Sequence, residues 1–495
     1  MKLSRGIIGC LLVSCFALGL SACSSKEEGN SENSQQNSAK LPEVKDEVKI
    51  IDGIQYDYEN AFFDDFTNGV NYDDWLISED CWGSNKGGIT VKNLFYTDEG
   101  TLLMRATGNY YSGNEIKGYG MVKDGKCTGA ALVSKFVTGP GRYQIKMIPH
   151  PRLGACTAFW TYCNRPAADE DNDNHEIDIE LPGGKSSNIH TFRNCMNTNY
   201  ITEKFMTSKD YVVSEVTNGK TLTLNDGKFH TFGFDWYTDP EIIVYYIDGV
   251  VTHVAKSYIP YLQTRIWFGV WISYSDAFMG KPNYESDFME VDWVKYIPFK
   301  NQPCTKTDVD IVSQSIPKEE YPTSPSSKPV INKIANGDFE YLIRKNKIED
   351  YGWNFSTYTD ASTEEKADPV GTKVSYVSKT KGKDGSAGGV VNKRGILKAV
   401  IDSAYDGYTY DFSFDAKSTG EDSICKISFF EDPTPGSIAL SSITLNLDQG
   451  DWKTYTRQIV VPEGTSSFDI RFSNKVKNSE TQLCIDNVNL VRTGI

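Results

Sequence analysis

Glu176, Asp178 and Glu180 occupy alternating positions, separated by Ile177 and Ile179. Period-two alternation with β-branched fillers is the pattern of a strand, which sends the three carboxylates to one face and both isoleucines to the other. Like charges so placed resist ionising together, a cost that strands avoid unless the strain has a use. The Cα atoms of Glu176 and Glu180 stand roughly 13 Å apart at about 3.3 Å per residue. Each Glu side chain can lean in over the shorter Asp178, which brings a carboxyl separation of about 5–5.5 Å within reach, the spacing that two-step glycosyl transfer with retention requires. A solvated strand face would show the same alternation. A calcium loop competes less well. Asp169, Asp171 and Asp173 do lead to Glu180 at the twelfth position, but Asn174 stands where an EF-hand needs Gly, and no helical pattern flanks the loop.

Such a strand needs a sheet to hold it, and the chain offers many. Thr101–Met104, Arg142–Ile148, Lys228–Trp236, Ile242–Ile247 and Arg265–Ile272 read as short strands broken by Gly, Asn, Asp and Pro. Asp248-Gly249 between two apolar runs marks a tight hairpin. Long amphipathic helices are missing from the pattern, so a parallel α/β sheet is disfavoured and an all-β jelly-roll sandwich is expected. The 495 residues allow two to three domains, and a net charge of −15 argues against nucleic acid as a partner. An aromatic content of 12%, with 28 Tyr and nine Trp, suits both sheet cores and the stacking of sugar rings. None of the five His (150, 175, 190, 230, 253) pairs with another at metal-ligand spacing on one element, so no metal is expected at the site.

The amino terminus reads as an export signal: Lys2 and Arg5, an apolar run from Ile7 to Leu20, then Leu20-Ser21-Ala22-Cys23. Small residues ending in Cys resemble a bacterial lipoprotein signal (residues 1–23), which implies lipidation of Cys23, anchoring to a membrane and a place in the cell envelope. Residues 24–47 are polar and read as a flexible tether. Export permits disulfides, and Cys425 with Cys484 is the expected pair because the last segment holds no other Cys.

Residues 48–298 resemble glycoside hydrolase family 16. The marks come in the family's order: Cys81-Trp82-Gly83-Ser84-Asn85, Gly139-Pro140-Gly141-Arg142-Tyr143, Ala158-Phe159-Trp160, the strand Glu176–Glu180, Phe229-His230 to Asp235-Trp236, Tyr246–Gly249, and Met289–Val294. The resemblance implies catalysis by Glu176 as nucleophile and Glu180 as acid then base, with Asp178 between them. A neighbouring negative charge should raise the Glu180 pKa toward working pH. Trp160, Trp82, Asn85, Trp271 and His190 are the candidates for touching sugar, while Trp236 and Trp293 are assigned to the core. The strand lacks the extra residue of the E-x-D-x-x-E version, so no bulge is expected in it. His175 before the strand and Leu181-Pro182 after it depart from the branches that share the shorter form, which leaves the substrate open.

Residues 299–329, with Pro303, Pro317, Pro322, Pro325 and Pro329, read as a semi-stiff spacer. A second β-sandwich should follow over 330–495, where Tyr408, Tyr410, Phe412 and Phe414 alternate and Phe468, Ile470 and Phe472 repeat the pattern. Asn336–Glu340 and Ile485–Leu490 resemble carbohydrate-binding modules of the family 4 and 9 kind. That resemblance implies glycan contacts from Tyr351, Trp353 and Tyr358, and allows a structural calcium at Glu340 and Asp486. The whole reads as an exported, lipid-anchored, monomeric, endo-acting retaining glycosidase of β-1,3- or mixed β-1,3/1,4-glucan that requires no cofactor. A galactanase, a lectin that binds glycan without cutting it, and a structural adhesin are the rivals.

Overall fold

Alternation sorts the strands of a computed structural model into layers. The structure describes residues 51–81, 85–165, 173–183, 194–202, 205–212, 224, 226–306, 316–341, 352–358, 365–367, 374–401, 408–421, 423–430, 439, 441–447, 449–461, 468–475 and 480–494. Cys23, Trp82, His190 and Tyr351 lie outside the described residues, as does the side chain of Tyr358. Two apolar cores form, one drawn from residues 66–321 and one from residues 334–490.

The first core lies within a jelly roll of a seven-stranded and an eight-stranded sheet. Edge to edge, the seven-stranded sheet runs Phe205–Val212, Asn194–Thr202, Asp173–Pro182, Cys156–Arg165, Arg265–Trp271, Ala130–Ser134 and Trp75–Ile77, antiparallel throughout. Ile177 and Ile179 are fully buried in the core, with Phe159 from the strand beside them and Phe268 from the strand after that, so the acids stand on the opposite face. The eight-stranded sheet closes the core with Tyr143 stacked on Phe234 at 4.8 Å and with Trp236. Trp293 is also buried but faces the other way, tilted against Phe63 at 6.1 Å beneath the Lys295 ammonium. The Asp248-Gly249 turn joins Glu241–Ile247 to Val250–Ala255 with φ of 48° and 74°, the left-handed pair that a two-residue hairpin demands.

That hairpin is pinned by a charge trio. His230 Nδ1 lies 2.7 Å from Asp248 and Nε2 lies 3.0 Å from Asp226. Burial works against a charged imidazole here, but the two carboxylates win and push the His230 pKa up to about 9. A pKa raised on folding adds stability that is fully present below the unfolded-state value near 6.5 and is lost as pH rises through about 9. His230→Gln should therefore cost up to about 3 kcal/mol at pH 6 and little at pH 10. Urea unfolding at both pH values measures it; equal losses would remove the charge from the explanation.

The Pro-rich stretch packs against the jelly roll as a strap. Thr305 bridges to Leu262, and Ile316 and Tyr321 enter the first core. The Tyr321 hydroxyl donates to Trp75 O at 2.9 Å and accepts from Ile77 N at 3.3 Å, and Ser326 N donates to Tyr96 O at 2.9 Å. Lys328 reaches Glu290 at 2.7 Å and Glu99 at 2.6 Å. Gly69 sits with φ of 79° where a Cβ would stand 2.4 Å from Pro322 O, so glycine lets the strap close in. Composition suggested a spacer because so few of these residues are apolar. Two anchors and a line of backbone bonds suffice to hold it down.

Around the second core, a six-stranded sheet packs on a five-stranded one, with Tyr410, Phe412, Phe414, Phe468, Ile470 and Phe472 inside. Cys425 and Cys484 are free buried thiols rather than a pair: Cys425, on Ser423–Phe430, joins the second core, and Cys484, on Leu483–Gly494, does not. Trp353 is a core residue, 1% exposed and stacked on Phe339 at 4.9 Å, so it does not offer its ring to a glycan. The calcium that the module resemblance allows does not fit the donors present. Glu340 accepts from Ala387 N at 2.8 Å, while Asp486 accepts from Lys383 N at 2.7 Å, Asn487 N at 2.7 Å and Ser386 Oγ at 3.0 Å. A Lys383 ammonium lies in the same cluster, 3.0 Å from Asp415, and a hard cation needs six to eight oxygens turned toward it.

Candidate active site

Register places the acids. On one side Glu176 lies opposite Tyr162, Asp178 opposite Trp160 and Glu180 opposite Ala158; on the other their partners are Tyr200, Thr198 and Met196. The acid strand pairs without a break in register on either side. Paired residues on neighbouring strands share a face, so these side chains gather on the face turned away from the core. Trp160 stacks on Trp267 at 5.6 Å and 20°, with Tyr162 edge-on to Trp267 at 6.5 Å. The two tryptophans, each 7% exposed, form an aromatic floor directly beside the carboxylates. Trp271 continues the row and lies 6.1 Å from Phe278.

Asn85 bridges by backbone to Ser273, just beyond the Trp271 end of the row. Its amide Oδ1 and Nδ2 are both buried and find no hydrogen-bond partner among the described residues. A buried primary amide left unsatisfied is costly, and a hydroxyl-rich ligand is one way to meet it.

Tyr200, Tyr162 and Trp267 were not singled out from sequence. Tyr200 matters most, because its hydroxyl donates to Glu176 Oε2. The strand Asn194–Thr202 shows useful alternation, but the register that sets Tyr200 against Glu176 is not encoded in residue type.

Burial, with the Glu180 charge adding to it, pushes the Glu176 carboxyl up to about 8, against the lowering effect of a hydrogen bond from Asp178. Asp178, 6% exposed, is raised well above the usual carboxylate range by burial first and then by the charges of Glu176 and Glu180. The trio therefore holds at least one proton at neutral pH, and its titration steps belong to the cluster. Asp178 is the most deeply set of the three, and its hydrogen bond with Glu176 raises the Asp178 carboxyl while it lowers that of Glu176.

The chain matches glycosyl hydrolases family 16 over residues 92–295. This part of the protein is a family 16 glycosyl hydrolase domain. A β-glucanase of Paenibacillus macerans is 29% identical over 222 residues, covering 43% of this chain and 80% of the relative. A β-glucanase of Bacillus subtilis (strain 168) is 26% identical over 243 residues, covering 48% of this chain and 86% of the relative. Among solved structures, a Bacillus licheniformis β-glucanase aligns with 22% identity and a TM-score of 0.38, over 48% of this chain and 97% of that one. The family 16 domain is an O-glycosyl hydrolase, and the paired sheets around residues 62–298 are its jelly roll.

Proposed function

We propose that the family 16 domain is an endo-acting β-glucanase cleaving internal β-1,3 or mixed β-1,3/1,4 linkages by double displacement. The observation that carries this reading is the placement of three mutually sensitive carboxylates beside a tryptophan floor, with Tyr200 donating to Glu176. The β-glucanase relatives support the substrate class.

In the first step an ionised Glu176 attacks the anomeric carbon while Glu180 gives its proton to the leaving oxygen. The Tyr200 hydroxyl and the Asp178 carboxyl both hydrogen-bond Glu176, which fixes its carboxylate in plane. In the second step Glu180, now a base, takes a proton from water, which attacks the same carbon and frees Glu176. Trp160 and Trp267 hold the sugar that stays attached between the steps, and Trp271 and Asn85 hold units further along. Trp82 and His190 remain contact candidates on sequence grounds.

Export and lipid anchoring at Cys23 fit a chain acting on external polysaccharide, and they rest on the signal pattern alone. The second sandwich is proposed as a glycan-holding unit on the strength of its module-like ends.

Digests of barley glucan, laminarin, xyloglucan and agarose, compared by chromatography and by proton NMR of the first products, test the reading. Internal cuts in barley glucan or laminarin with retained β configuration are expected. Preferential cutting of agarose would move the substrate to galactans, and an inverted first product would end the double displacement.

A further inference from the structure

Beyond Trp271 the chain leaves the acid-bearing sheet and forms a wall at that end of the aromatic row. Ser273 bridges to Asn85, and the short helix Asp276–Met279 sets Phe278 beside Trp271. Met279 is fully buried, and its sulfur accepts from Ser273 N at 3.1 Å. Trp271 stands two strands across and two residues along from Glu180, about 12 Å away. The wall therefore shapes where a glycan chain runs, not where it is cut.

The wall is backed by a loop of the jelly roll. Asn109 N donates to Pro282 O at 2.8 Å, Tyr110 N to Tyr284 O at 3.2 Å and Gly108 N to Glu285 O at 2.8 Å. That loop in turn rests on a single turn of the second sandwich. Tyr341 meets Tyr110 edge-on at 5.1 Å, and the Lys126 ammonium lies 4.0 Å over the Tyr341 ring while donating to Asn109 O at 3.3 Å. The same turn also reaches the wall directly, because the Glu285 carboxyl accepts from the Asn336 backbone N–H. Asn336, with φ of 52°, closes the turn on itself: its Oδ1 accepts from Tyr341 N at 2.9 Å, and its carbonyl accepts from Phe339 N at 3.1 Å. An Asn that takes the left-handed region and bonds its own turn fixes the two contact points relative to each other.

We infer that the turn Asn336–Tyr341 is a positioning element of the glucanase cleft: it braces the Ser273–Glu285 wall, and with it the Trp271 and Asn85 end that holds sugar units away from the acids. The inference rests on the glucanase reading above and deepens it. Asn109 is the relay. Its side chain donates to Asn283 of the wall at 3.1 Å and accepts from the Lys86 ammonium, next to Asn85, at 3.4 Å, while its carbonyl holds Lys126. Lys86 N itself donates to Ile272 O at 2.7 Å, so the segments carrying Asn85 and Trp271 move together. A loop without packed backing opens at little cost, and an aromatic pair with a cation over one ring supplies that backing. A sandwich that only held glycan would act through local concentration, whereas a brace acts through the shape of the cleft.

The test is Tyr341→Ala in the intact chain. Tyr341 is half-buried and lies outside the second core, so this variant should fold. We expect KM for soluble barley glucan to rise about fivefold, the worth of one aromatic pair, with kcat within about twofold of wild type. Loss of folded protein alone would lower kcat and leave KM where it was. Tyr341→Phe, which keeps the ring, should restore KM, and Lys126→Met, which reaches the same contact from the jelly roll, should raise it. Hydrogen exchange followed by mass spectrometry reads the wall without any substrate. Tyr341→Ala should speed exchange over residues 273–285 and leave the strand Cys156–Arg165 unchanged. A KM equal to that of wild type, or unaltered exchange over 273–285, overturns the brace. Wild-type protein without turnover on any glucan would sink the parent reading alone, and the exchange measurement then decides the brace by itself.

Discussion

Glu176→Ala is expected to lower kcat on glucan by on the order of 10⁴-fold or more while leaving the fold intact, because the covalent step loses its nucleophile. The fold should survive, since the side chain is only half-buried and its removal relieves the repulsion within the trio. Glu180→Ala should be nearly as damaging on glucan yet much milder on an aryl glycoside, whose phenol departs without a proton. Added azide separates the two roles. In Glu176→Ala the anion fills the space of the lost carboxylate and attacks from the same side, so the product is an α-glycosyl azide. In Glu180→Ala the covalent intermediate still forms with an aryl substrate, and azide then attacks it from the opposite side to give a β-glycosyl azide. The two configurations, read by NMR, assign the acids independently of rate. Products of the reverse configurations would exchange the roles of Glu176 and Glu180, and near-normal hydrolysis by Glu176→Ala would remove that residue from the chemistry.

The part of this site that was legible in the sequence is the part governed by strand periodicity. Glu176, Asp178 and Glu180 had to share a face because their spacing is two, and Ile177 and Ile179 had to fill the other because they are apolar. What lies beside that face depends on register across strands, which is set by connections whose geometry is not written in residue type. So Trp160 could be nominated as a neighbour, but Trp267 beneath it and Tyr200 across from Glu176 could not. Exposure was equally hidden. Trp353 carries the same ring as a sugar-stacking residue, yet the sheet turns it inward onto Phe339. The strap misled for a different reason: its proline content describes how stiff the backbone is, whereas its attachment comes from Ile316, Tyr321 and partners remote in the chain.

Asp287→Asn should destabilise the protein by roughly 3–5 kcal/mol, the cost of leaving buried charges without their counterion. Asp287 Oδ2 accepts from Lys333 Nζ at 2.6 Å and from Arg152 Nε at 2.9 Å, and all three side chains are almost wholly buried. Burial opposes ionisation here, but Lys333 and then Arg152 hold the Asp287 carboxyl well below the usual carboxylate range. A depressed acid adds stability that is present above its unfolded-state pKa near 3.8 and fades as pH falls below it. The difference between wild type and Asp287→Asn should accordingly be full at pH 7 and shrink in acid. Lys333→Met should cost less, because Arg152 still neutralises the carboxylate. The position of Lys333 gives the cluster its reach. Its backbone N donates to Leu490 O at 2.8 Å, and the adjacent Asn332 side chain donates to Val488 O at 3.1 Å, both on the last strand of the second sandwich. Lys333 thus ties a buried ion cluster of the jelly roll to the last strand of the second sandwich, so a cut at 330, where composition alone would sever the chain, strands Arg152 and Asp287 inside the jelly roll. Urea unfolding of the intact chain, followed by tryptophan fluorescence at pH 7, measures the loss. An Asp287→Asn midpoint equal to that of wild type would mean that the cluster contributes nothing to holding the two sandwiches, and the second sandwich would then be free to act as a detachable module.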